Sequence, residues 1–155
     1  MEAIWTSVVA VAGTLLGSVI TYAFQQRANL RSEVFAHSEA LRQERMAAYG
    51  AFAAAVEDYR HGQATRWYRR LDGPGGAEFG AARDEAHRLR TIARQALYRV
   101  KLLTDEPEVT AAAEQAYRDT WDVSNARDQP GHDQRDDRAR QAVEAFVSRA
   151  APLVR

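Results

Sequence analysis

The 155-residue chain carries 21 basic and 21 acidic side chains and no cysteine. Balanced charge argues against a general nucleic-acid binder, which needs a basic excess to displace counterions. Lack of a thiol excludes disulfides, thiolate metal sites and cysteine nucleophiles, and the length leaves room for one domain plus an appendage.

Residues Ala3 to Phe24 contain no ionisable side chain. As a helix they would span roughly 33 Å, matching a bilayer core of about 30 Å. Ile4, Val8, Val9, Val11, Leu15, Leu16, Val19, Ile20 and Phe24 supply apolar transfer energy, and Trp5 and Tyr22 sit near the ends, where amphipathic rings favour the interfaces. A cleaved signal would begin basic and be shorter, whereas this segment begins Met1-Glu2-Ala3. Residues 1–24 are therefore expected to be a single-pass membrane anchor, with the lipid bilayer as first partner. Nothing basic precedes the span, whereas Arg27, Arg31, Arg42 and Arg45 follow it. The positive-inside bias then puts the N-terminus outside and the soluble domain in the cytoplasm.

Gly13-x-x-x-Gly17 lies within that span, and small residues let backbones pack closely in lipid. Gly13 and Gly17 form a candidate face for transmembrane self-association, hence a homodimer; the alternative is incidental glycine facing lipid. Continuing the heptad gives Ile20, Arg27, Val34 and Leu41, so a coiled-coil seam could run onward.

Residues 25–45 are polar with widely spaced Leu30, Val34 and Leu41, which predicts a helical stalk. From Met46 the apolar pattern thickens through Tyr49, Phe52, Val56 and Tyr59 and stops at Asp72-Gly73-Pro74-Gly75-Gly76. Phe79, Ala82, Ala86, Leu89, Ala93, Ala96, Val100 and Leu103 then form a stripe at steps of three and four, ending at Thr104. Asp105 and Glu108 predict a capping box around Pro107. The third helix should bury Val109, Ala113, Ala116, Thr120 and Val123; residues 124–133 read as a loop; the last helix should bury Ala139, Val143, Phe146 and Ala150 and stop at Pro152. The fold class is thus all-α: an anchor, a stalk, and an up-down bundle of four helices over residues 46–155.

Arg45-Met46-Ala47-Ala48-Tyr49-Gly50-Ala51-Phe52, an R-x-x-x-Y-x-x-F segment after a span and polar stalk, resembles a segment recurring in small, uncharacterised, membrane-anchored helical proteins of actinobacteria. The resemblance implies architecture and no activity.

No enzymatic motif is present. Gly73-Pro74-Gly75-Gly76 lacks the strand and lysine of a phosphate loop. Asp58 with His61 and Asp84 with His87 repeat a D-x-x-H spacing, but His87 lies one position past core residue Ala86 and Asp84 falls on the wet side, so no metal and no cofactor is expected. Arg66-Trp67-Tyr68-Arg69-Arg70 is the candidate partner patch, since cations beside aromatics suit nucleic-acid stacking or protein hot spots. The competing reading puts Trp67 in the core and the arginines on Asp128, Asp133, Asp136 and Asp137.

The second helix is basic and the third acidic. Folded back at Thr104-Asp105, facing positions sum to about 209, which pairs Lys101 with Glu108, Arg94 with Glu114 or Gln115, Arg90 with Asp119 and His87 with Asp122 as a charge zipper. These features predict a non-enzymatic, membrane-tethered interaction or scaffold module with a cytoplasmic protein partner and no nucleic acid. The alternative is a membrane-bound sensor or regulator signalling through a dimeric transmembrane helix; a third class, an enzyme, would need a cluster of buried carboxylates. If Gly13 and Gly17 form a contact face, Gly17→Ile should weaken self-association in a membrane two-hybrid assay and Val11→Ile should not; equal behaviour of the two variants rejects the face.

Overall fold

The computed structural model describes residues 2–155, with side chains from residue 36 onward. Its helices are α1 (Glu2–Asp72), α2 (Ala77–Leu103), α3 (Pro107–Asp122) and α4 (Gln129–Ala150), with 3-10 turns at Val123–Asn125 and Ala151–Leu153. The chain divides into two units, Met1–Leu41 and Arg42–Arg155. The expected anchor, Gly13 and Gly17, and most of the stalk lie outside the residues whose side chains are described. Among the described residues, no helix is long and apolar enough to cross a membrane.

Within the second unit α1 presents Tyr49, Phe52, Val56, Tyr59, Gln63 and Trp67 at steps of three and four, all 5% exposed or less. That spacing keeps one face inward for five turns. α2 and α3 meet it mainly with alanine: Ala86, Ala93, Ala113 and Ala116 are 2% exposed or less. α4 inserts Phe146, which meets Phe52 edge-on at 4.8 Å and Tyr49 at 5.9 Å. Each of the core positions expected on α2, α3 and α4 is buried or half-buried, and Leu97, off the expected stripe, joins them.

Cross-helix pairs fix the directions. Tyr59 with Tyr117 and Gln63 with Trp121 are each 58 residues apart, a constant offset that makes α1 parallel to α3. Arg69 with Glu78 and Glu44 with Arg99 run in opposite senses along α1 and α2, as do Phe52 with Phe146 and Arg60 with Asp136 along α1 and α4. The four helices therefore run up-down-up-down.

Arg45 and Arg42, which the orientation argument counts as flanking charges, are also structural. Arg45 Nε donates to Leu103 O at 2.7 Å, capping the last turn of α2, where unpaired carbonyls and the helix dipole favour a cation. Arg42 donates to Val154 O at 2.7 Å. Arg45, Tyr49 and Phe52, the marked positions of the R-x-x-x-Y-x-x-F segment, thus tie α1 to the end of α2 and to α4.

Two helix starts differ from expectation. Glu106, not Asp105, is the N-cap of α3, and it makes no side-chain cap bond; Thr104 Oγ1 instead accepts from Glu106 N at 3.3 Å. The expected capping box does not form. α4 begins at Gln129, inside the expected loop, because Asp128 caps it by accepting from Gly131 N at 2.8 Å and Pro130 fits the first turn, where its missing N–H costs nothing.

The charge zipper between α2 and α3 is the largest correction. Lys101 pairs with Glu114 at 2.5 Å, not Glu108, and Arg90 meets no carboxylate. The acids at the end of α3 turn the other way, towards α4: Asp119 lies 3.5 Å from Arg138, and Asp122 bonds Arg135. The helical phase decides this, because α3 must share one buried face among α1, α2 and α4, leaving Asp119 and Asp122 on the α4 side. Asp122→Arg should be rescued by Arg135→Asp with a coupling of about 0.2–1 kcal/mol in a thermal-denaturation double-mutant cycle, and the Arg90/Asp119 cycle should show none. Coupling in the second cycle alone would restore the original register.

Candidate interaction surface

The Arg66–Arg70 segment occupies the last turns of α1, so its side chains splay around the helix rather than forming one patch. Trp67 continues the buried stripe at 1% exposure. Its indole N–H donates to Ala126 O at 2.9 Å, and its ring stacks on His132 at 4.4 Å and 29°. His132 was assigned to a loop from sequence; it sits in the first turns of α4, 4% exposed, and its Nε2 has no partner among the described residues. Tyr68 is 46% exposed, its hydroxyl accepting from Gln129.

The arginines do not pair with Asp128, Asp133, Asp136 or Asp137. Arg69 bridges to Glu78 at 2.7 Å and Asp72 at 3.6 Å, and Arg70 donates to Ala126 O at 2.7 Å. Asp136 is taken by Arg60 at 2.5 Å, a pair whose side chains are only 12% and 17% exposed. Asp137 pairs with Arg140, Asp133 accepts from Gln129, and Asp128 is the α4 cap. The candidate patch is therefore divided: Trp67 is core, Arg69 and Arg70 lock the α1–α2 turn and the α3–α4 connection, and Tyr68 and Arg66 face outward on separate sides.

Arg66 lines a polar cleft of about 240 Å³ with Tyr59, Gln63, His87, Arg90 and Trp121. Arg90 Nε donates to Tyr117 Oη at 3.3 Å, and its guanidinium lies over the Trp121 ring, 5.6 Å from the centroid. Gln63 Nε2 donates to Trp121 O at 2.8 Å, so a fully buried amide forms the cleft floor. Burial pushes the Tyr59 phenol above its ordinary value, although Arg90 and Arg66 pull the other way, so it stays a neutral donor. Sequence reasoning missed this convergence by assigning Arg90 to Asp119. One signal was available: neither Arg66 nor Arg90 has an acid three or four residues away on its own helix.

The two D-x-x-H pairs do not converge. His61 Nδ1 is 2.9 Å from the Glu57 carbonyl of its own helix, and Asp84 lies 3.5 Å from Arg83. Among the described residues no group of three or more His, Asp or Glu side chains could hold a metal ion.

An apolar cleft of about 190 Å³ opens near the other end of the unit, between α1 and the end of α4. Met46, Gly50, Ala53, Val147, Ala151 and Val154 line it, and Met46 and Val147 are 50% and 47% exposed. Gly50 leaves open space, since a Cβ there would meet nothing within 4 Å. Apart from Tyr49 the lining is side-chain hydrocarbon or glycine, which suits an apolar side chain.

Residues 46–154 match the KilB plasmid transfer protein family, and the chain belongs to that family. The match covers all three helix–helix connections and begins within the R-x-x-x-Y-x-x-F segment, so the earlier resemblance is replaced by a family that spans the bundle. No curated protein and no solved structure matches the chain.

Trp67→Phe should destabilise the full chain in detergent micelles by about 1–3 kcal/mol, through a lost hydrogen bond and an underfilled site, whereas Tyr68→Ala should stay within about 0.5 kcal/mol. Equal effects in thermal denaturation would mean that the segment is not divided as described.

Proposed function

We propose that this KilB-family chain serves plasmid transfer as a non-enzymatic, membrane-tethered helical module that holds another protein at the cytoplasmic face. The family match over residues 46–154 carries the reading, because it covers the whole bundle and its description is plasmid transfer. The uncharged span from Ala3 to Phe24, with arginines only on its C-terminal side, supports the tether and its orientation. The apolar cleft at Met46 and Val147 supports a protein partner: two half-exposed apolar side chains flank a hollow that a single anchoring residue would fill.

The chain binds and positions in this reading; it does not turn over a substrate. Several of its half-buried ionisable groups are engaged in structure, as in the Arg60–Asp136 pair between α1 and α4 and the carbonyls held by Arg42, Arg45 and Arg70.

Deleting the gene from a plasmid donor should lower transfer frequency, and the full chain should restore it. A version lacking residues 3–24 should not restore it, and Val147→Glu should fail while keeping its helical signal, since Val147 is already half exposed. Alkaline phosphatase fused after Arg155 should stay inactive. Undiminished transfer after deletion rejects the role, rescue without residues 3–24 rejects the tether, active phosphatase rejects the orientation, and full rescue by Val147→Glu rejects the cleft as the docking point.

A further inference from the structure

Half-buried arginines in the described residues follow a rule with two exceptions. Arg42, Arg45 and Arg70 each donate to a backbone carbonyl, on Val154, Leu103 and Ala126. Arg60 bonds Glu57 and Asp136, and Arg135 bonds Asp122. Arg66 and Arg90 are also half-buried, yet among the described residues neither reaches a carboxylate or a carbonyl oxygen. Both line the same cleft, and both are close enough to the Tyr59 hydroxyl to act on its charge.

Two cations that line one partly desolvated hollow without a carboxylate partner favour an anion there. The nearby acids are engaged: Glu85 holds Arg88 through both oxygens at 2.8 and 2.6 Å, Asp119 lies against Arg138 on α4, and Asp122 accepts from Arg135 on α4 and from Asn125 at 3.2 Å. Apart from Ala86, the rest of the lining carries N–H or O–H groups: Tyr59 a phenol, Asn125 an amide that also donates to Asp122 Oδ1 at 3.2 Å, and His87 a ring nitrogen. Trp121, half exposed, backs the Arg90 guanidinium and holds it in place by a cation–π contact. Planar guanidiniums are suited to two-point recognition of oxyanions such as phosphate.

We propose that the cleft between Arg66 and Arg90 binds a doubly charged oxyanion, the phosphate monoester of a small molecule. The site is a hollow of about 240 Å³ rather than a basic track, which favours a compact ligand over a nucleic-acid backbone. It uses none of the residues lining the apolar cleft and does not rest on the existence of a protein partner.

The test follows the arginine Nε–Hε signals of the full chain in detergent micelles by nuclear magnetic resonance. Inorganic phosphate should shift the Arg66 and Arg90 signals saturably and leave Arg88, engaged on Glu85, in place. Arg66→Gln, which removes no hydrogen bond or ion pair seen among the described residues, should weaken phosphate at least tenfold, as should Arg90→Gln; Arg83→Gln should change it less than twofold. Adenosine monophosphate and a short-chain phosphatidic acid present the same monoester from two sources, and the tighter of the two identifies the source. The proposal is overturned by no saturable shift with any of these probes, by unchanged affinity in Arg66→Gln, by an equal loss in Arg83→Gln, or by duplex DNA binding more tightly than every monoester.

Discussion

An alanine side chain buries a single methyl group, so a helix that presents alanine lets its neighbour come close but contributes little apolar area of its own. In this bundle α2 and α3 face the interior largely with Ala86, Ala93, Ala112, Ala113 and Ala116. The large buried side chains come from elsewhere, with Phe52, Tyr59 and Trp67 on α1 and Phe146 on α4. Apolar burial therefore depends on α1 lying against the small-residue faces of two helices and on Phe146 closing the remaining gap. Where α1 itself turns small, at Gly62, a Cβ would meet Leu89 Cδ1 at 2.7 Å, so this glycine leaves the Leu89 side chain room against α1. Polar contacts then adjust a geometry that packing has already chosen.

That hierarchy explains what could be read from the amino-acid order. Apolar positions recurring at three and four residues report burial directly, so the cores of α2, α3 and α4 were legible residue by residue. Trp67 was legible by the same rule, standing four residues after buried Gln63, although its arginine neighbours gave the segment the look of a surface patch. Charge partners were not legible, because long side chains on a shared helix can swing to either neighbour. Equal-height arithmetic treated α2 and α3 as an isolated hairpin, whereas α3 also faces α4, and Asp119 and Asp122 went there. Pro130 and Gly131 misled for a related reason: a proline tolerated in a first turn and a glycine whose N–H meets the capping carboxylate mark a helix start as well as a loop.

The arginine-rich composition takes on a different sense once the contacts are seen. Several guanidiniums work as caps, closing carbonyls at Leu103, Ala126 and Val154 where chain segments end or turn. Lysine would do this less well, since a flexible point charge lacks the planar fork that holds a fixed direction. Against that pattern of closure, the cations without a carboxylate at the polar cleft and the open apolar hollow at the opposite end stand out as different kinds of surface, one suited to an oxyanion and the other to a hydrocarbon side chain.

The same preference leaves the chain with one lysine. Lys101 lies in the last turn of α2, with Nζ 2.5 Å from Glu114 on α3 and 42% of its side chain exposed. Its ammonium is the one side-chain amine in the molecule, and it sits on the seam between two helices rather than on an open face. An acylating reagent therefore has a single side-chain target, and it marks that seam: contact with Glu114 holds the amine against α3 and restricts a reagent's approach, and parting of α2 from α3 would release it. The chain carries its own chemical reporter of helix separation.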